Sequence, residues 1–293
     1  MTAVAVSRVA RPRRLSLMDD PRITRQLVIG VAMLTAIGVF AIVGPMLVDP
    51  SAADIGAVTP RLAPNAQHFL GTDSQGRDLW TLMALGTPNS LKIGLIAGIF
   101  GIGIGLVLGM ISGFVGGAVD TVIRVCSDAL MTVPAIAILI VIASNVERMS
   151  VELMGVAIAL LAWMFPTRVI RSQVLSIKER SYIEVAKANG VGTTGLIVRE
   201  VMPNLMPWVM AAFVATVAGA ILAAVGLESL GLGATSTETI GVTIFWSQYY
   251  SAVPRGMWWW WAPPIFMIGL VFVALFITSA GMDRFANPRL RRD

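Results

Sequence analysis

The sequence predicts an all-α membrane protein with about six transmembrane helices and both termini in the cytoplasm. Three observations carry this. Of the 293 residues 56% are hydrophobic and only 13% charged, and the mean hydropathy is +0.78; a soluble domain carries roughly a quarter charged residues. Six apolar segments recur along the chain, and spanning a hydrocarbon core takes about 20 mostly apolar residues in a helix. The basic residues also fall unevenly between alternate connections. Seventeen of the 22 Lys and Arg lie on one side of a six-span arrangement, and the positive-inside rule places that side in the cytoplasm.

The elements follow in order. Residues 1–26 form a polar cytoplasmic tail with Arg8, Arg11, Arg13, Arg14, Arg22 and Arg25. Residues 27–48 are a first transmembrane anchor, too long for a cleaved signal peptide. Residues 49–90 make a mixed, proline-bearing extracytoplasmic loop that includes the run Gly71–Asp78. Residues 91–283 then hold five more spans, beginning with glycine-rich Leu91–Val115. The next two cover about Asp120–Asn145 and Leu153–Phe165. Leu205–Leu227 carries no charge, and Ala262–Met282 is the last. A cytoplasmic loop, 168–204, interrupts this core, and residues 284–293 close the chain as a second cytoplasmic tail.

One cysteine, Cys126, and one histidine, His68, exclude an internal disulfide and a Cys/His zinc site. A Ser–His–Asp relay would depend wholly on His68, which reads as an ordinary loop histidine. An intramembrane protease of the H-E-x-x-H type has no counterpart here.

Within the 168–204 loop, Val174, Ile177, Ile183, Ala186 and Val198 form a sparse apolar set among Lys178, Glu179, Arg180, Glu184, Lys187 and Arg199. This suits a short amphipathic helix on the membrane face, hinged at Gly190, Gly192 and Gly195, with Pro203 in the first turn of the next span. A solvated connection is the plainer alternative. Gly101, Gly105, Gly109, Gly113 and Gly117, four residues apart, form one ridge on the second span. That ridge serves either a sliding seam or ordinary packing within the subunit. Asp120, Arg124 and Asp128 share one face of the third span by the same spacing. Charges near a membrane end cost less than at its centre, which favours a mutually paired structural clasp over a transport site. Trp258–Trp261 read as an interfacial anchor. Trp246, Tyr249 and Tyr250 with Ile240 and Ile244 read as an outer amphipathic helix.

The order Tyr182-Ile-Glu184-Val-Ala186-Lys-Ala-Asn-Gly190, with Pro203 thirteen residues on, resembles the EAA loop of permease subunits in bacterial ABC importers. Glu184, Ala186, Gly190 and Pro203 occupy motif positions, while Val185 and Met202 depart from it. His68-Phe-Leu-Gly-Thr-Asp73-Ser-Gln-Gly76-Arg77-Asp78 resembles the segment before the second span of the dipeptide/oligopeptide/nickel permeases. Pro134, Leu230-Gly-Leu-Gly233 and Asn287-Pro-Arg-Leu290 follow that family's order. The chain resembles the second of two related permeases, the one with a short first loop. Ala224 stands where the family usually has glutamate, Glu228 where serine is expected, and the last span ends on a bare Asp283-Arg284.

The resemblance implies that Glu184, Ala186, Gly190 and Pro203 mark a coupling helix seated on an ATP-binding subunit. It implies a heterodimer with a related permease, two ATP-binding subunits, an extracytoplasmic substrate-binding protein and a bacterial plasma membrane around the lipid-facing spans. Peptides are the implied cargo, ahead of nickel complexes or oligosaccharides, and nucleic acid has no place among the partners. No G-x-x-x-x-G-K-[ST] loop exists in the sequence, so ATP and magnesium belong to partner subunits, and this chain is expected to carry no cofactor and no metal. A self-sufficient secondary transporter or channel is the main alternative. Such proteins place ionisable groups or broken helices at the midplane, and the first, second, fifth and sixth segments show no mid-span charge.

Overall fold

A computed structural model of the chain describes residues 25–286, with side chains up to Met282. Most of the tail arginines therefore lie outside the described residues. The described residues form eleven α-helices: α1 (Arg25–Val43), α2 (Leu79–Val115), α3 (Gly117–Met131), α4 (Ala135–Ser144), α5 (Val151–Ala162), α6 (Met164–Lys178), α7 (Ser181–Ala188), the single turn α8 (Thr193–Gly195), α9 (Met202–Ser229), α10 (Ile240–Tyr249) and α11 (Trp258–Ala286). The described residues hold no strand, only one bridge between Thr72 and Asp78.

Four stretches are long and apolar enough to cross a membrane alone: Arg25–Met46, Leu79–Val115, Thr193–Ser229 and Trp258–Met282. Two helix pairs qualify when each is taken as one bent span, α3 with α4 at 79° and α5 with α6 at 41°. The first bend follows from Pro134, which has no N–H and disfavours helical backbone at Val133. The spans thus number four to six.

Two boundaries differ from the hydropathy reading. The second helix begins at Leu79, twelve residues before the apolar segment, because Asp78 caps it by accepting from the Thr81 amide at 2.8 Å. Pro88 lies inside it and forfeits only one helical bond. At 37 residues the helix is about 55 Å long, well beyond a bilayer core of about 30 Å. The fifth span also reaches past Leu227 to Ser229, taking in Glu228.

Helix α2 is the axis of the packing. Its glycine ridge meets α6, where a Cβ on Gly105 would stand 2.7 Å from Pro166 Cβ, and one on Gly113 2.7 Å from Val174 Cγ1. The ridge is therefore packing within the subunit. Gly117 is not part of it, since α2 ends at Val115 and Gly117 opens α3 at a φ of +60°. Nearer the start of α2 the same side receives α9, with Gly94 and Gly98 against Ile221 and Val217. Helix α1 lies along α11, where Gly30 and Gly281 leave no room for a Cβ against Thr278 and Leu27.

The loops gather at two ends. At one, loop 54–78 covers the start of α2 and α11: Leu79, Leu82, Ala252, Met257 and Trp260 share an apolar cluster, and Trp259 Nε1 donates to the Thr72 carbonyl at 3.3 Å. Of the four tryptophans, Trp258 is exposed while Trp260 is fully buried, so they only partly fit an interfacial belt. Helix α10 is buried along Ile240–Ile244 rather than amphipathic. At the other end lies α7, between α6 and α9.

Candidate functional site

Between α6 and α9 the chain makes a small outward-facing unit. Helix α7 has one buried residue, Ile183, in an apolar cluster with Ile170 and Val174 of α6 and Leu196 and Val201 beyond the turn. Ala186 packs on the edge of that cluster. The helix ends in a Schellman arrangement: the Gly190 amide donates to the Lys187 carbonyl at 2.9 Å and the Val191 amide to the Ala186 carbonyl at 3.1 Å. This closure needs a left-handed residue at its turn, and Gly190 supplies it at φ +78°. Two of the motif positions thus have a local physical reason, one as a packed small residue and one as a cap.

Glu184 faces outward in the first turn of α7, where a carboxylate suits the helix dipole. Tyr182 and Val185 are exposed beside it, at 40% and 59%. Among the described residues Glu184 and Lys187 make no ion pair. The result is a short helix with a buried root and a mixed apolar and charged outer face. Beyond the turn, Leu196–Val201 is π-helical, and Pro203 opens α9. Pro203 brings no N–H to the Arg199 carbonyl, while the helix runs on from Thr193 to Ser229. Val198, placed in the apolar set from the sequence, is 59% exposed. Neither the π-helical stretch nor the anchoring role of Ile183 was read from the sequence; the signals were the proline at 203 and the apolar residue before Glu184.

The charge cluster closes differently from the spacing argument. Asp120 does not pair along α3 with Arg124. It accepts two bonds from Arg171 of α6, one of 2.6 Å from Nη2, and a third from the Ser112 hydroxyl of α2. Asp128 lies 3.8 Å from Arg168, and Arg124 makes no ion pair among the described residues. The clasp therefore ties α2, α3 and α6 together. Lys178 extends it by donating to the Gly113 and Phe114 carbonyls at 3.0 and 3.1 Å, which satisfies the C-terminus of α2. Arg124, Arg168 and Arg171 line an open cavity of about 270 Å³ with Asp128, Ser112 and Thr167.

At the opposite end His68 proves structural: its Nδ1 lies 2.8 Å from Asp78 Oδ2, bracing the carboxylate that caps α2. Arg77 donates to the fully buried Asp73 at 2.7 Å and lies 3.8 Å from Glu238. Burial, aided by Asp73 and Asp54 and opposed by Arg77, pushes the Glu238 carboxyl above its ordinary range. Among the described residues no group of three His, Cys, Asp or Glu is placed to hold a metal.

Residues 105–292 match the family model of the binding-protein-dependent transport system inner membrane component. The chain is 33% identical over 269 residues to the oligopeptide transport system permease protein OppC of Escherichia coli K12, covering 91% of this chain and 88% of that one. It is 30% identical over 270 residues to the dipeptide transport system permease protein DppC of Bacillus subtilis, covering 90% and 82%. OppC of Lactococcus lactis subsp. cremoris is 28% identical over 88% of this chain and 90% of its own. With the long apolar helices, the bent spans and the capped helix between α6 and α9, these similarities place the chain in the family of binding-protein-dependent transport system inner membrane components, as a permease subunit of an ABC importer.

Proposed function

We propose that the chain is one of two related permeases in an ATP-driven peptide importer of the bacterial plasma membrane. The termini and α7 face the cytoplasm, and the loop that leads from α1 to α2 faces outward. Residues 27–48 anchor the chain, and 91–283 form the core that the loop 168–204 couples to ATP. The excess of basic residues on the α7 side supports this orientation. Two ATP-binding subunits hold ATP and magnesium, and an extracytoplasmic binding protein delivers the cargo. Peptide cargo is carried over from the relatives named as dipeptide and oligopeptide permeases.

One observation carries the coupling assignment: α7 is rooted by a single residue, Ile183, and presents Tyr182, Glu184 and Val185 outward. A helix fixed from below with an apolar pair on its open face fits a groove on another protein. Gly190 holds the helix end, Ala186 its inner edge and Pro203 the start of α9. Closure of the ATP-binding subunits moves this knob between two positions, which is what a rigid-body switch requires.

The test is to purify the chain with its partners from its native membrane and reconstitute it. Recovery of a second permease and ATP-binding subunits, with ATP-dependent peptide uptake that Val185→Asp abolishes while insertion persists, is the expected result. Solute movement by this chain alone without ATP would establish the secondary-transporter reading instead.

A further inference from the structure

Glu228 is the one carboxyl in α9, and it is completely buried. The space it fills is made by glycine: a Cβ on either Gly233 or Gly241 would collide with its side chain. Its Oε1 accepts from the Thr239 hydroxyl at 2.8 Å, and Thr239 is the N-cap of α10, its Oγ1 in turn accepting from the Val242 amide at 3.1 Å. Oε2 has no hydrogen-bond partner and lies against Gly241 in the first turn of α10. A buried carboxyl with a hydroxyl partner and a helix N-terminus beside it is electrostatically held to that helix.

The same helix start has a second grip. The Ile240 amide donates to Ser90 Oγ of α2 at 3.0 Å, and Asn89 Nδ2 donates to the Glu238 carbonyl at 2.7 Å. Helix α10 thus begins between two long helices, tied to α9 by a side chain and to α2 by its backbone. The Gly231–Ser236 loop that leads into it lines one side of an open cavity of about 390 Å³, facing the α4–α5 turn at Ser144–Arg148. Helix α9 is 28 residues long, about 42 Å, and its far end follows directly from the α7 unit.

We infer that Glu228 is a positioning residue that makes α10 and the Gly231–Ser236 loop follow α9, so that displacement at the α7 end changes the cavity at the opposite mouth. This rests on the coupling role proposed for α7. The Glu228 tie moves with α9, so α10 travels with α9 as it slides along α2, and the Ser90 and Asn89 contacts to α2 are the ones that yield.

The test places spin labels at Leu222 on α9 and Tyr249 on α10, both exposed, in the full assembly with Cys126→Ser, and measures their separation with and without ATP. In the otherwise native chain the separation is narrow and does not change with ATP. Glu228→Gln, which keeps an acceptor for the Thr239 hydroxyl, retains the narrow distance and the native ratio of peptide taken up to ATP hydrolysed. Glu228→Leu keeps the volume without the acceptor. It is expected to broaden the distance and lower that ratio several-fold, while the assembly still forms and hydrolyses ATP. Equal behaviour of the Gln and Leu variants would reduce Glu228 to a space-filling residue and overturn the inference. The distance without nucleotide reads the tie even where native assembly shows no ATP-driven uptake, an outcome that would remove the coupling reading instead.

Discussion

Substituting Gly109 by Ala tests whether α2 and α6 form one rigid unit. The added Cβ would stand 2.8 Å from Ile170 Cβ, 2.8 Å from the Thr167 carbonyl oxygen and 2.9 Å from Ile170 Cγ2. Two of these atoms are backbone or a branched Cβ, so no flexible side-chain tip can turn aside. The helices must separate locally by several tenths of an ångström. Gly105 and Gly113, one turn away on either side, are as close to α6, so the separation spreads along the seam. Overpacking of this kind costs about 1–3 kcal/mol. The intrinsic gain from replacing a helical glycine by alanine offsets roughly 0.8–1.0 kcal/mol of it. Gly103 provides the control, because a Cβ there meets nothing within 4 Å, and Gly103→Ala should show the propensity gain undiminished. The assay is thermal unfolding of the detergent-purified chain, read by loss of its monodisperse elution peak. Gly109→Ala is expected to melt below the native chain and Gly103→Ala at or above it. Equal melting of the two variants would refute the close α2–α6 seam.

Other outcomes follow from the two ends of the fold. Arg171→Ala leaves Asp120, only 17% exposed, with the Ser112 hydroxyl alone. The loss is expected at about 1.5–3 kcal/mol for charge-assisted bonds, and Asp120→Ala added to it should recover part, which a double-mutant cycle in thermal unfolding measures. Gly190→Val forces a β-branched residue to φ +78°, at a cost of about 1–2 kcal/mol, and opens the α7 cap. ATP-coupled uptake in proteoliposomes should fall sharply while membrane insertion, measured by protease accessibility, stays normal. The raised Glu238 carboxyl makes the folded chain hold that proton to higher pH than the unfolded chain does. Its contribution to stability therefore falls as pH rises from the ordinary glutamate value through the raised one. Unfolding measured across that interval should slope downward for the native chain, and Glu238→Gln should flatten the slope.

What the sequence made legible follows the reach of each signal. Helices α2, α9 and α11 each exceed the length of a bilayer core, the stretch Arg25–Met46 begun by α1 matches it, and no local alternative competes with that. The start of α2 escaped because Leu79–Asn89 mixes polar residues with Pro88, although Asp78 three residues before Thr81 was a cap in plain sight. The charge cluster was found, but its pairing was misassigned. Spacing along one helix reports which side chains share a face, and Arg171, 51 residues from Asp120, is brought alongside only by the α2–α6 seam. Around α7 the motif marks Glu184, which faces outward, whereas the residue that anchors the helix is its apolar neighbour Ile183. Glu228 was visible as a departure from the family pattern. Its burial depends on Gly233 and Gly241, five and thirteen residues away, and on a helix start that hydropathy does not reveal.

The two ends of the molecule treat charge in opposite ways, and that difference bears on how the subunit works. At the loop end, Asp73, Arg77, Asp78 and Glu228 are all buried and held by their own chain. Removing one partner there strands a buried charge, an expensive change, so this end keeps its internal geometry and moves as a preassembled piece. At the α7 end the charges of Glu184 and Lys187 remain in solvent, and the segment behind them is joined through a glycine cap, a π-helical stretch and a proline. What holds α7 in place is the apolar cluster of Ile183 with Leu196, Val201 and Leu205, and no buried ion pair among the described residues. On the coupling role proposed for α7, a subunit so built takes its position from what binds at the soft end and delivers it, through α9, to the stiff one. Opening the α7 cap, by Gly190→Val, and loosening the stiff end, by Glu228→Leu, should therefore both uncouple transport from ATP hydrolysis. Only the second should also broaden the α9–α10 separation.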